Sequence, residues 1–122
     1  MDYREILSME PLALADWLQR NYTFVLPANI ESIEQMKIAG NMLSELTNHY
    51  SFMMQLLTYA KIMVRQEKRK GKENKENAED MIDRKESIQN TADTLKMQYQ
   101  TISRMITVKK EINDELKMTS GL

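Results

Sequence analysis

From Met36 onward, apolar side chains return at intervals of three and four: Met36, Ala39, Leu43, Leu46, Tyr50, Met53, Leu57, Ala60 and Val64. That unbroken 3-4 spacing is an a/d seam, which packs knobs into holes against another helix. Met42, His49, Leu56 and Met63 widen the stripe on one side. A two-helix contact needs only the seam, so the wider face implies a second neighbour, either the N-terminal segment or another subunit. A second seam follows at Met81, Lys85, Ile88, Ala92, Leu95, Tyr99, Ile102 and Ile106, then drifts onto Met105, Val108, Ile112 and Leu116.

Start and stop signals bound these two segments. Asn29 or Ser32 can cap the first, and Ser32-Ile33-Glu34-Gln35 fits the capping box, in which two side chains satisfy orphan backbone N–H groups. Gly71 is its natural stop, preceded by Arg65, Lys68, Arg69 and Lys70, whose charges suit a helix C-terminus. Lys72 to Glu76 reads as a polar connector, and Asn77 as the cap of the second helix, with Glu79 and Asp80 in its first turn. Gly40 sits inside the first helix, where glycine costs about 1 kcal/mol relative to alanine; the expectation is that it permits a close helix approach.

Folding the chain at the connector sets Val64 near Met81, Leu57 near Ile88, Met53 near Ala92, Leu46 near Tyr99 and Leu43 near Ile102. Apolar meets apolar except where Lys85 faces Ala60, and there the lysine stem can lie on the small residue. The expected fold is therefore all-α: a long antiparallel, coiled-coil-like helical hairpin over residues 29–122 with its turn near 71–77. Residues 1–28 add a short helix and a strap. Pro11 is tolerated in a first helical turn; Leu12, Leu14, Ala15, Trp17 and Leu18 follow, with Asn21 as the stop. Tyr22 to Pro27 is β-branched and aromatic, so it reads as extended, lying on its own hairpin or on another copy. A two-helix hairpin buries too little to stand comfortably alone, so this cap or oligomerisation is required.

Composition then removes much chemistry. The 122 residues include no cysteine and one histidine, so disulfides and thiolate metal sites are excluded, and a histidine-based catalytic set would have to run through His49 alone. Glu45 and His49 stand one turn apart without a second histidine, unlike the Glu-x-x-His pairs of di-iron bundles. There is no glycine-rich phosphate loop. The expectation is a protein that is not an enzyme and uses no cofactor or metal. No apolar run has the length of a membrane span, and no signal peptide is evident, which predicts a chain working in the cytoplasm without membrane contact.

The net charge of −1 hides a sharp segregation. Residues 61–75 hold seven basic side chains against two acidic ones, whereas 76–93 hold two against six. Two helix ends meeting at one turn account for part of this. The basic tip also offers candidate phosphate contacts in Arg65, Lys68, Arg69, Lys70, Lys72 and Lys75, although a single-strand binder usually adds stacking aromatics. Most of the eleven methionines are soft core filling. Met54, Met97 and Met118 fall off the seams, as do Ile38 and Phe52. Trp17, Phe24, Ile38, Phe52, Met54 and His49 are the candidates for a partner or oligomer face, beside a first reading in which Trp17 and Phe24 cap the open end of the hairpin and fill its core and His49 is a boundary residue of the bundle.

Four stretches carry a family likeness: Leu46 to Ser51, Tyr59 to Arg65, Glu79 to Glu86, and Gln98 to Val108. Together they resemble small helical accessory proteins of phages infecting Firmicutes, and the layout of residues 30–118 looks most like the T4-type phage recombination mediators. That resemblance is one of pattern. It implies a phage origin, a homo-oligomer, and binding to single-stranded DNA. Two functions are thus expected: an interaction protein that inhibits a host nuclease or defence factor by binding a host or phage protein, or an oligomeric nucleic-acid accessory acting through the basic tip.

Overall fold

The computed structural model describes residues 2–71 and 75–120, with side chains through Leu116. Four helices follow in order: α1 (Tyr3–Leu7), α2 (Pro11–Tyr22), α3 (Ile33–Arg69) and α4 (Lys75–Ser120). No strand occurs among the described residues. The two long helices pack against each other, and their lengths of 37 and 46 residues correspond to about 55 and 70 Å.

The capping box forms as expected. Ser32 Oγ accepts from the Gln35 amide at 3.1 Å, and Gln35 Oε1 accepts from the Ser32 amide at 3.2 Å and from the Glu31 amide at 2.6 Å. At the other end Gly71 takes φ +88°, the left-handed conformation that closes a helix without a Cβ penalty. Helix α4 is already formed at Lys75, so Asn77 lies in its first turn and is not the cap; Glu76 there complements the helix N-terminus.

Start of α3 and end of α4 lie together: Ser32, Ile33 and Met36 border the same depression as Lys109, Asn113 and Leu116. Midway, Leu46 and Tyr50 share another with Leu95 and Tyr99. The long helices therefore run in opposite directions. Where they pack, Ala39, Leu46, Met53, Leu57, Ala60 and Val64 of α3 and Met81, Ile88, Ala92, Leu95 and Ile102 of α4 are all buried. Met36, Leu43 and Tyr50 of the expected seam are half-buried, and Tyr99 keeps 41% of its surface exposed. These positions lie at the edge of the seam, on a side that no third element covers among the described residues.

The N-terminal third covers the other side. Met9 lies beside Arg84, whose Nε donates to the Met9 carbonyl at 2.8 Å, and Phe24 lies beside Gln98. Helix α2 thus runs parallel to α4, and the extended segment 23–31 carries on to Ile30, which is buried near Met105. The strap packs on its own long helices. Leu14 and Leu18 of α2 are fully buried, as are Ile6 and Leu7 of α1, a helix not evident from the sequence. Asp2 caps it, its side chain accepting from the Glu5 amide. Helix α2 ends one residue past the expected stop at Asn21, at Tyr22, and the Asn21 side chain donates back to the Trp17 carbonyl at 2.8 Å.

Gly40 faces solvent, and a Cβ built there would meet nothing within 4 Å. No close helix approach depends on it.

Candidate functional site

Helix geometry decides which candidate residues can act together. Residues three and four apart share a face, so His49, Phe52, Leu56, Tyr59 and Met63 form one stripe of α3. That stripe meets the N-terminal third. Tyr3 stacks on Phe52 at 5.5 Å between ring centroids and lies 4.5 Å from the Tyr59 ring. Tyr22 stacks on Phe52 at 5.5 Å and meets His49 edge-on at 4.9 Å, while Trp17 meets Tyr22 at 5.4 Å. Phe24 stacks on His49 at 5.1 Å.

Four of the six residues expected on a partner face, Trp17, Phe24, Phe52 and His49, are therefore half-buried and turned onto their own chain. The reason is the wide apolar face of α3: its second neighbour is the N-terminal segment. The remaining two, Ile38 and Met54, are 56% and 38% exposed. Sixteen residues of helix rotation place them on nearly opposite sides of α3, so they do not form one surface. Met97 is exposed, and the side chain of Met118 lies outside the described residues.

The cluster is polar at three points. The Tyr3 hydroxyl donates to Gln55 Oε1. Burial pushes the Tyr22 phenol above its ordinary value, because a phenolate there would lose its water. His49 Nδ1 is buried and has no hydrogen-bond partner among the described residues. Glu45 is exposed, and among the described residues no three His, Cys, Asp or Glu side chains stand close enough to hold a metal ion.

At the turn, Arg65, Lys68, Arg69 and Lys70 end α3 and Lys75 opens α4; all five are exposed. Lys70 Nζ lies 3.1 Å from Glu67 Oε1. No carboxylate among the described residues forms an ion pair with Arg65, Lys68, Arg69 or Lys75. Lys72 falls outside the described residues.

A second exposed feature lies at the opposite end. Past Gln98 the thin strap replaces α2, and it leaves the drifting stripe of α4 half uncovered: Val108 is 47%, Ile112 45% and Leu116 60% exposed, beside Ile33 at 77%. Among the described residues no helix is long and apolar enough to cross a membrane. Comparison with known protein families, curated proteins and solved structures finds no match.

Proposed function

We propose that this chain is a non-enzymatic, oligomeric accessory protein that binds single-stranded nucleic acid through the turn of an antiparallel helical hairpin, as the recombination mediators it resembles do. The observation that supports this reading is that Arg65, Lys68, Arg69 and Lys75, beside Gly71, are exposed and form no ion pair among the described residues. Phosphates neutralised there release counterions, so affinity falls steeply with salt. One tip is weak; several in one assembly gain through effective concentration. Fluorescence anisotropy with a labelled oligonucleotide tests it. Binding that weakens with salt, and at least about tenfold on changing Lys68, Arg69 and Lys70 together to Ala, is expected. Binding indifferent to that change sinks the reading.

A second reading rests on Ile33, Val108, Ile112 and Leu116 at the far end, whose exposure suits an apolar protein contact. There the chain acts as a phage-type inhibitor of a host nuclease or defence factor. Capture of one defined host protein after nuclease treatment is expected, abolished by Ile112→Glu and untouched by the tip changes.

A further inference from the structure

The face of the α3–α4 pair opposite the N-terminal third carries an unusual charge pattern. Start at Met36 and step four and three residues in turn to Lys68; then start at Ala78 and step likewise to Lys110. Each walk stays on one side of its helix. These twenty positions include no Asp or Glu, in a chain with 18 of them. Five are lysine: Lys61, Lys68, Lys85, Lys96 and Lys110. None of the five forms an ion pair among the described residues. Midway along lies the apolar depression bordered by Leu46, Tyr50, Leu95 and Tyr99, with Lys96 at its rim.

The outside of the N-terminal third has the opposite character. Asp2, Glu5, Glu10 and Asp16 are exposed there against Arg4 and Arg20, and Arg20 is held by Asp16 at 2.6 Å. Val25 projects from the strap at 94% exposure. Heights along the bundle can be compared directly. Asp2 and Tyr3 lie level with Tyr59 to Gln66, Met9 with Arg84, and Phe24 with Gln98. The acidic surface of α1 and α2 is thus level with Lys61 and Lys85 on the far side of the molecule. Val25 is level with Tyr99 and the apolar depression.

We infer that a second copy of this chain occupies the open face, seating its Val25 in the Tyr50–Tyr99 depression and its acidic α1–α2 surface over Lys61 and Lys85. Charge complementarity selects this partner surface. Two open faces packed on each other would set lysine against lysine. The contact is heterologous, head to tail, and it joins surfaces at equal height. Successive copies therefore stand side by side, with every basic turn at the same end of the assembly. This holds whether or not nucleic acid binds.

Sedimentation velocity on the full chain tests it. The wild type is expected to run well above its 14.4 kDa monomer mass and to lose mass as salt rises. Val25→Arg removes the donor side, and Lys61→Glu with Lys85→Glu removes the acceptor side; both variants are expected as monomers with unchanged far-ultraviolet helicity. Mixed together, they retain one intact surface each and form a one-to-one dimer. A monomeric wild type overturns the inference. So does assembly that survives Val25→Arg, or a mixture of the two variants that stays monomeric.

Discussion

Gln98 holds both backbone polar groups of Phe24. The Phe24 amide donates to Gln98 Oε1 at 3.2 Å, and Gln98 Nε2 donates to the Phe24 carbonyl at 2.8 Å. One side chain of α4 thereby does for the strap what a neighbouring strand would do, and it fixes the Phe24 ring on His49. Gln98→Ala leaves both groups without that partner. A loss of about 1–3 kcal/mol in urea unfolding is expected, with faster hydrogen exchange confined to residues 23–28. Unchanged exchange at Phe24 would show that ring packing alone seats the strap.

Gly40 inside α3 and Gly71 just past its end predict opposite outcomes for one substitution. Gly40→Ala adds a methyl group into open space in a helix interior and is expected to raise stability by about 1 kcal/mol. Gly71→Ala forces a side chain into φ +88° and is expected to lower it by about 1–2 kcal/mol. Paired thermal melts read both signs at once.

The seam from Ala39 to Val64 was legible because a 3-4 repeat survives any context, and the capping box at Ser32 because it needs only local geometry. The aromatic cluster was legible in principle as well. His49, Phe52, Leu56, Tyr59 and Met63 repeat at 3-4 spacing, one face round from the seam. Tested only against the seam, Phe52 looks outward; tested as a second stripe, it points to a second neighbour. Helix α1 gave no such signal, since five residues span little more than one turn and show no period. The bond from Gln98 to Phe24 joins residues 74 apart and depends on how the strap crosses α4, which no local pattern encodes.

Tyr22 makes stability pH-dependent on the alkaline side. Its phenol titrates above the ordinary value of 10.0 in the folded chain, because burial disfavours the phenolate. Its contribution is therefore fully present below the unfolded value and is lost as pH rises through the folded one. Tyr22→Phe cannot ionise and keeps the ring contacts. Urea midpoints measured from pH 8 to 11 are expected to fall less for Tyr22→Phe than for the wild type; parallel curves would assign the alkaline loss to other groups.

Phe52 and Met54 separate an inward face of α3 from an outward one. Phe52 stacks between Tyr3 and Tyr22, so truncation removes packed area together with two ring contacts worth about 0.5–1.5 kcal/mol each. Phe52→Ala is expected to cost about 3 kcal/mol, the lower end for phenylalanine truncations because the ring is half-buried. It also releases α1, whose short length leaves it dependent on Tyr3, Ile6 and Leu7 for anchorage. Met54, two positions on and turned about 200° round the helix, is expected to change stability by no more than about 0.5 kcal/mol when cut to Ala. Guanidinium unfolding of the two variants reads the difference, and equal costs would place Phe52 outside the cluster.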